Sequence, residues 1–393
     1  MSEYILNPEW KLKTNNGEPN FNMAVARYFV PISDAHKVNT ENRELYINDY
    51  NNNICPFVKQ NLAIKDYDEN TIKELIDVIQ ENRKLSSVTM ESRINHLVLD
   101  IVSWFAKEHG LDDPTWGSAY KFTDHGLGIE VALSRLQRSF TKHEALLLAK
   151  ALLTSPIEIS GELFALLACL YFGARNNEAA GLSFRDFIEM QEHKGEYYLR
   201  IGALTTNRGK NTLKISGKTY NAPRYVPAMD IVAKAIKARM AYLESILTFP
   251  IVDENGTFES VLDLPFGCKG NKYTKRCSAD DLTKAAKDLF KNVLKFDENR
   301  LAGITELMYR DEDRYIEEKS ATCYTCRRDF ATELSIAFAS HLDRMTYIQY
   351  LMGHKIEDQR FKRNDLTDEY YLHQMKEMLE ASHRVNKLLK SNV

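Results

Sequence analysis

The sequence predicts a mainly α-helical protein with a small antiparallel β-sheet (an α+β fold), divided into at least two domains. Apolar residues recur at the three- and four-residue spacing of a helix face in several separate segments. Residues 197–204 instead alternate between apolar and polar side chains, and residues 224–227 have the composition of a returning strand. A length of 393 residues is also too great for one ordinary domain.

The first third of the chain predicts an arm followed by a helical domain. Residues 1–39 are polar and asparagine-rich around one apolar patch near 23–31, which indicates a small arm or a strap. The spacing of apolar residues predicts a compact all-helical domain at 40–135. Residues 122–136 are predicted to form the linker at its end. Two helix faces carry this prediction: Ile72, Leu75, Ile76 and Ile79, then Ile94, Leu97, Val98, Ile101 and Trp104.

The remaining segment, residues 136–393, begins with a helix. Thr141 is a candidate N-cap because Glu144 follows three residues later, as in a capping box. Further helices are predicted at 163–172 and 230–248, on either side of the predicted strands. Residues 249–320 lie between these elements and the motifs near the C-terminus, and we call them the spacer.

Composition and cysteine content favour an ordinary intracellular protein. Hydrophobic residues make up 44% of the chain and charged residues 27%, as in soluble globular proteins. No apolar run approaches the ~18 residues of a membrane span, and no signal peptide is recognisable. Six cysteines are too few for a disulfide framework, so we expect a reducing, cytoplasmic environment.

The net charge of −3 is distributed unevenly. Residues 1–136 carry 14 basic and 20 acidic residues, whereas residues 137–393 carry 38 basic and 35 acidic residues. The second segment is only mildly basic, so any contact with nucleic acid must come from local patches.

The most basic patch lies in the predicted hairpin. Residues 200–224 contain six basic residues and no acidic residue. Such a hairpin suits a phosphate backbone, and a solvated charged loop is the plain alternative. The basic residues from which we expect DNA contacts are Arg200, Arg208, Lys210, Lys214 and Arg224.

A stretch near the C-terminus is suited to holding a phosphodiester. Arg327 opens an apolar helix and offers a planar fork of donors that fits two phosphate oxygens. His354, in a Tyr-Leu-Met-Gly-His motif, can donate to a third oxygen. Tyr370 and Tyr371 follow, and a tyrosine hydroxyl can attack phosphorus.

These motifs resemble the conserved boxes of tyrosine recombinases, the phage-integrase family of site-specific DNA strand exchangers. The run Gly-Ala-Arg-Asn-Asn-Glu at 173–178, followed by Leu182 and Asp186, is similar to the first box. Lys218, ahead of Arg-Tyr-Val-Pro at 224–227, resembles the hairpin lysine, with Lys210 as the competing candidate. The resemblance covers residues 137–373 by motif and residues 40–135 by position and helix content only.

Two departures from the family's pattern concern the candidate site residues. Tyr324 stands where a histidine is usual, three residues before Arg327. His354 and Tyr371 are 17 residues apart, a longer spacing than usual, which leaves open whether the tyrosine serves its own protomer or a neighbour. Tyr371 is preferred to Tyr370 because Tyr371-Leu372-His373 fits the family's Tyr-x-His.

The resemblance implies a helical core-binding domain followed by a catalytic domain, and it assigns the roles. Two arginines neutralise the non-bridging phosphate oxygens, a lysine protonates the departing 5′ oxygen, and the tyrosine forms a 3′-phosphotyrosyl ester. Histidine and the second-box tyrosine orient the phosphate. The implied catalytic residues are Arg175, Lys218, Tyr324, Arg327, His354 and Tyr371, supported by Glu178.

The same resemblance implies the partners. They are double-stranded DNA target sites, a homotetramer on DNA and an accessory directionality protein, with no membrane. The ester stores the bond energy, so no cofactor or metal is implied. The chain would act in the cytoplasm and would be encoded by a bacterium, a phage or a mobile element. It would integrate or excise a mobile element. An amphipathic tail after Gln374 would dock on a neighbouring protomer.

Three alternatives stay open. One is a catalytically impaired DNA-binding relative, suggested by Tyr324 and the charged insert at 355–368. Another is a telomere resolvase or type IB topoisomerase, which shares the chemistry. The third is a cysteine-metal module built from Cys323-x-x-Cys326 with Cys268 and Cys277, although that second pair lacks the tight spacing of a zinc knuckle.

Overall fold

The computed structural model divides the chain into two compact units, Met1–Ser134 and Arg135–Val393. It describes residues 11–29, 40–83, 87–113, 115, 139–202, 204–206, 213–215, 223–297, 306–308, 315–317, 321–354 and 369–390. The predicted linker at 122–136 lies outside these residues. No helix in the described ranges has the length and apolar character needed to cross a membrane.

The first unit is helical. Its helices α4 and α5 are joined by a π-helical turn at Asn95–Leu99, and short 3₁₀ turns lie between α2 and α3. The helix bounds are α1 Phe21–Phe29, α2 Thr40–Asn53, α3 Glu69–Arg83, α4 Ser87–Ile94 and α5 Asp100–Glu108.

One hydrophobic cluster holds these helices together. Both predicted helix faces contribute to it, and four residues of α3 are buried as the spacing predicts: Ile72, Leu75, Ile76 and Ile79. The apolar patch near 23–31 belongs largely to α1, whose Phe21, Val25 and Phe29 are buried in the same cluster. Helix α1 is therefore part of the core of this unit.

The second unit contains nine described helices around a second cluster. Helix α7 is apolar on every side and ten of its twelve residues are buried, which makes it the centre of the unit. The bounds are α6 Lys142–Leu153, α7 Gly161–Phe172, α8 Asn176–Gly181, α9 Asp230–Ile246, α10 Ala279–Asn292, α11 Cys323–Ala337, α12 Arg344–Leu351, α13 Glu369–Ser382 and α14 Arg384–Lys390.

Helix α6 begins as the sequence predicts. The Thr141 hydroxyl accepts from the Glu144 N–H at 3.2 Å, and the Glu144 carboxylate accepts from the Thr141 N–H at 2.7 Å. These reciprocal bonds satisfy two donors that a helix start would otherwise leave unpaired. The predicted capping box is confirmed.

A three-stranded antiparallel sheet lies beside these helices, in the order β1-β2-β5. The predicted strand at 197–204 is interrupted at Gly202, which has a φ of +80°. Its two parts pair with different partners, β2 with β1 and β5, and β3 with β4. The bounds are β1 Phe187–Glu189, β2 Tyr197–Ile201, β3 Leu204–Thr206, β4 Leu213–Ile215 and β5 Arg224–Pro227.

The spacer at 249–320 pairs with the segment that directly follows α8. The Phe266 N–H donates to the Leu182 carbonyl at 3.0 Å, and the Phe184 N–H donates to the Leu264 carbonyl at 3.2 Å. Arg276 donates to the same Leu182 carbonyl. Besides α10, the described part of the spacer contains three hairpins: β6 Ile251–Asp253 with β7 Gly256–Phe258, β8 Cys268–Lys269 with β9 Lys272–Arg276, and β10 Glu306–Met308 with β11 Tyr315–Glu317.

The C-terminal helix α14 packs on α6 of the same chain. Arg384 holds it there, because its guanidinium donates to the Phe140 carbonyl at 2.6 Å and to the Asp329 carboxylate. The Arg384 Nε also lies 2.8 Å from the Glu333 carboxylate in an ion pair. In the single chain, the tail is thus docked in cis.

Replacing Arg384 by Met should release α14 and destabilise the second unit. Asp329 and Glu333 are almost completely buried, and removing one partner of a buried ion pair costs about 3–5 kcal/mol. Urea unfolding of the full chain should show the loss, and hydrogen exchange should accelerate across residues 384–390. Arg344→Met, on an exposed part of α12, is the control and should stay within about 0.5 kcal/mol. An unchanged unfolding midpoint for Arg384→Met would contradict this account.

Candidate active site

Several candidate site residues meet where helices end or begin. Arg175 lies between the end of α7 and the start of α8, and Arg224 begins β5. Arg327 is in the second turn of α11, and His354 follows the end of α12. The fold thus brings together side chains from four separate parts of the sequence.

The Glu178 carboxylate is the centre of this group, which we call the arginine cluster (Arg175, Glu178, Arg224, Arg327). One Glu178 oxygen accepts from the Arg175 guanidinium at 2.7 Å. The other accepts from the Arg175 N–H at 2.8 Å and from Arg224 Nη2 at 3.1 Å, and it lies 4.0 Å from Arg327 Nη1. Three guanidinium groups against one carboxylate leave the cluster positively charged.

Glu178 is ionised although it is buried. Burial alone would raise its pKa, but the charge and hydrogen bond of Arg224, followed by those of Arg175, outweigh burial and hold the pKa at about 2. Burial and the charges of Arg224 and Arg175 lower the pKa of Arg327 to about 10, so Arg327 remains charged at neutral pH.

Backbone carbonyls at two helix ends hold the buried guanidinium groups. Arg224 donates to the Leu351 carbonyl at 2.7 Å and to the Gly173 carbonyl at 3.2 Å. Arg327 donates to the Gly173 and Met352 carbonyls. Carbonyls at the C-terminal end of a helix have no partner within the helix and carry the negative end of its dipole, so they suit a buried cation.

Two glycines make this arrangement possible. Gly173 and Gly353 both have a φ of +62°, a left-handed conformation that disfavours other residues. A Cβ on Gly353 would lie 2.7 Å from Arg224 Nη1, and a Cβ on Gly173 would lie 2.5 Å from the Phe330 ring. The glycines of the Gly-x-Arg and Gly-His motifs are therefore required by both conformation and space.

The cluster reaches solvent through Arg175 and His354. The Arg175 side chain is 38% exposed and His354 is exposed, whereas the Arg327 side chain is only 1% exposed. His354 Nε2 lies 3.4 Å from Arg327 Nη2. Burial, then the charges of Arg327, Arg175 and Arg224, lower the pKa of His354, so this imidazole is neutral at pH 7.

Arg224 requires a correction. The sequence predicts it as a DNA-contacting residue of the basic hairpin, but its side chain is fully buried. Its donors face Glu178 and the carbonyls of Gly173 and Leu351. In this position its guanidinium faces protein groups and not solvent, so it holds the site together.

The other basic-hairpin residues are only partly described. Arg200, at 38% exposure, donates twice to the Asp186 carboxylate, at 2.8 and 3.1 Å, so it is anchored beside the first box. Lys214 lies in β4, paired with Thr205 across the hairpin. Three predicted residues lie outside the described ranges: Arg208, Lys210 and Lys218.

Tyr324 lies on the first turn of α11 and is 48% exposed. The Arg328 guanidinium lies over its ring at 5.9 Å. Tyr324 precedes Arg327 by three residues in the same helix, so the two side chains are neighbours on one face of α11. About half of the Tyr324 surface is thus open to a ligand.

The two candidate nucleophiles begin helix α13. Tyr370 is 61% exposed and Tyr371 is 37% exposed, with ring centroids 5.9 Å apart. Helix α13 packs on α11 and β5 of its own chain. It is also tied to this chain by polar contacts, among them Lys376 to Asp230 at 2.9 Å and the Asp230 N–H to Glu380 at 2.7 Å. The insert at 355–368 lies outside the described residues.

The structure does not bring the cysteines into a metal site. In the described residues, which include all six cysteines, the one group of three or more metal-ligating side chains whose ligand atoms lie within 4.8 Å of one another is His193, Glu196 and His373. All six thiols are buried, and burial raises the pKa of Cys277, Cys323 and Cys268.

Two features of the second unit are missed by sequence reasoning. The first is the buried role of Arg224, and the second is the pairing of Arg384 with Asp329. In both cases the partners are far apart in the sequence. Periodicity and motif spacing describe only neighbouring residues, so they cannot predict these contacts. Arg224 next to an apolar Val-Pro strand end is the one available sign of burial.

Comparison with solved structures finds the same architecture in two integrases. The Tn1549 transposon integrase in complex with transposon right end DNA matches with a TM-score of 0.57 and 16% identity, covering 86% of this chain and 91% of that chain. A lambda integrase tetramer bound to a Holliday junction matches with a TM-score of 0.50 and 12% identity, covering 89% and 81%. No protein-family model and no curated protein matches the chain.

At these identities the comparison establishes the fold. The chain has the α+β fold of the tyrosine-recombinase integrases, and the fold class predicted from the sequence is confirmed.

Replacing Glu178 by Gln should destabilise the second unit strongly. The variant keeps the size of the side chain but leaves three guanidinium groups without their counter-charge, and breaking a buried ion pair costs about 3–5 kcal/mol. The folded pKa of about 2 is below the ordinary value of 4.5, so this stability is present above pH 4.5 and is lost as the pH falls toward 2. Urea unfolding between pH 7 and pH 3 measures both effects.

Glu244→Gln, on an exposed face of α9, is the control and should change the unfolding free energy by less than about 0.5 kcal/mol. A Glu178→Gln protein as stable as the wild type at pH 7 would show that the carboxylate does not hold the cluster.

Proposed function

From the fold that the chain shares with these integrases, we propose that it is a site-specific DNA recombinase. It cleaves and rejoins DNA through a 3′-phosphotyrosine intermediate, and it integrates or excises a mobile element. The observation that carries this proposal is the positively charged arginine cluster beside His354, with a pair of exposed tyrosines on α13 of the same unit.

The cluster is suited to a phosphate in the transition state. In-line attack at phosphorus places charge on the non-bridging oxygens, and fixed guanidinium groups stabilise that charge without reorganising. Arg175 is the accessible fork, already oriented by Glu178. Neutral His354 can donate one hydrogen bond to a phosphate oxygen without adding a further positive charge.

Arg327 binds the phosphate only after a small rearrangement. Both of its Nη groups donate to carbonyls, of Gly173 and Met352. Among the described residues, its buried Nε–H has no hydrogen-bond partner. We expect a phosphate oxygen to accept a hydrogen bond from this Nε–H. A second phosphate oxygen would replace one of the two carbonyls as the acceptor of an Nη group.

Tyr371 is the proposed nucleophile, and it acts in cis. Its helix packs on α11 and β5 of the same chain, and polar contacts along α13 hold it there. Lys218 protonates the departing 5′ oxygen, while Tyr324 donates to the phosphate. The ester conserves the energy of the broken bond, so the reaction needs no nucleotide and no catalytic metal.

The proposed partners are duplex DNA sites and three further copies of the chain. Support comes from the structural neighbours, an integrase held on transposon-end DNA and a tetramer held on a Holliday junction. An accessory directionality protein and a bacterial or phage origin belong to the same proposal.

Two observations favour a second candidate, a DNA-binding relative that does not cleave. Arg327 is buried among carbonyls, and Tyr324 replaces the usual histidine. Such a relative would bind its DNA site and never form a covalent adduct. A telomere resolvase or type IB topoisomerase would form the adduct but would need no second site.

Tyr371→Phe should bind DNA like the wild type and form no covalent adduct. Neighbouring helix residues point about 100° apart, so only one of the two tyrosines faces the phosphate. The measurement uses a nicked suicide duplex that carries the site selected by the protein from random-sequence DNA. Tyr370→Phe is the matched control and should keep at least part of the activity.

Adduct formed by Tyr371→Phe but not by Tyr370→Phe would reverse the assignment. Adduct that survives both changes would refute the tyrosine-recombinase proposal, and binding without adduct in the wild type would establish the non-cleaving relative.

Lys218→Ala should leave DNA binding nearly intact and slow cleavage by about 10²–10⁴-fold, the usual effect of losing a general acid. One lost phosphate contact lowers the salt slope of binding by only about one. A 5′-phosphorothiolate substrate, whose sulfur leaves without a proton, should restore cleavage to this variant. Rescue of Lys210→Ala instead would show that Lys210 is the hairpin lysine.

A further inference from the structure

We propose that His193, Glu196 and His373 form a binding site for a first-row divalent metal ion of the Zn²⁺ type, which staples helix α13 to the β1–β2 hairpin. The ligand atoms of these three residues all lie within 4.8 Å of one another. This site goes beyond the proposed strand transfer and supplies no step of it.

Two of the ligands are fixed by a tight turn. The Glu196 N–H donates to the His193 carbonyl at 3.0 Å, and the Met190 N–H donates to the Glu196 carbonyl at 2.9 Å, which closes the hairpin. Gly195 inside the turn has a φ of +88°, which favours glycine. His193 and Glu196 are therefore held at the two ends of one turn.

The third ligand comes from α13. His373 Nδ1 lies 2.6 Å from a Glu196 oxygen, and His373 Nε2 lies 3.3 Å from a Glu377 oxygen. The rings of His193 and His373 stack with centroids 4.1 Å apart and planes 2° apart. Residues 177 positions apart in sequence are thus in direct contact.

Two imidazoles and one carboxylate form the ligand set that zinc takes in catalytic sites, with a water molecule as the fourth ligand. Two parallel rings cannot both point a nitrogen at one ion, because the ion must lie near the plane of each ring. Coordination therefore requires one ring to rotate. His193 is only partly buried on the hairpin turn, so its side-chain torsions have room for this rotation.

The surrounding charges are compatible with a cation. Lys376 lies 3.6 Å from the Glu196 oxygen Oε1, while the His373 contact is made by Oε2. Lys376 is also paired with Asp230 at 2.9 Å. Glu377, 68% exposed, adds a second carboxylate that can approach the ion or hydrogen-bond His373.

The consequence is control over the helix that carries the tyrosines. His373 lies two residues after Tyr371, so an ion bound here fixes the first turns of α13 against the hairpin of its own chain. Without an ion, the same contact is held by the His373–Glu196 hydrogen bond, the stacked rings of His193 and His373, and the Lys376–Glu196 ion pair. Metal binding should therefore restrict opening of α13.

Titration of the full chain with Co²⁺, and Zn²⁺ competition against it, tests the proposal without DNA. We expect one saturable site per chain. His193→Gln and His373→Gln should each weaken binding by at least about tenfold, and both variants should keep the wild-type circular dichroism. His143→Gln, exposed on α6, is the matched control and should bind like the wild type. All six thiols are buried in the folded chain, which disfavours them as competing ligands.

Hydrogen exchange of the same samples tests the staple. Amides of residues 369–382 should exchange more slowly with Zn²⁺ in the wild type, and His193→Gln should abolish the change. Lack of saturable binding, equal binding by all variants, or binding that leaves α13 exchange unchanged would each overturn the proposal. Because these measurements need no strand transfer, they remain decisive even if the chain forms no covalent adduct.

Discussion

The buried Glu178 carboxylate is the interaction on which the site of the second unit depends. It lies in the first turn of α8, and it partly offsets the charge of guanidinium groups from three different parts of the chain. Without this carboxylate, Arg175, Arg224 and Arg327 would repel one another in a poorly solvated space. With it, the site keeps an excess of positive charge, which is the condition for holding a phosphate.

Backbone carbonyls at helix ends also hold the buried arginines in place, together with the Glu178 carboxylate. Carbonyls of Gly173, Leu351 and Met352 accept from the buried arginines, so the ends of α7 and α12 are joined through side chains instead of through direct backbone pairing. This arrangement requires the left-handed glycines at 173 and 353. A Cβ at 173 would collide with the Phe330 ring, and a Cβ at 353 would collide with the Arg224 guanidinium. The motif glycines thus follow from packing and electrostatics together.

Local patterns predict much of this protein, and distant pairings account for what they miss. The capping box of Thr141 and Glu144 and the buried face of α3 depend on neighbours in sequence, and both are confirmed. The burial of Arg224 depends on the Leu351 carbonyl, 127 residues away, and no spacing rule reaches that far. Gly202 divides the predicted long strand because the sheet and the hairpin tip pair separately. The roles of individual site residues stay predictions.

A structure of the full chain on the duplex it selects tests the central claim most directly. The account predicts one phosphate within hydrogen-bond distance of Arg175 and His354, with Arg327 having exchanged a carbonyl for a phosphate oxygen and Glu178 still pairing with Arg224. Tyr371 of the same chain should face that phosphate. A DNA backbone that passes elsewhere, with the arginine cluster unchanged and no phosphate near it, would contradict the account.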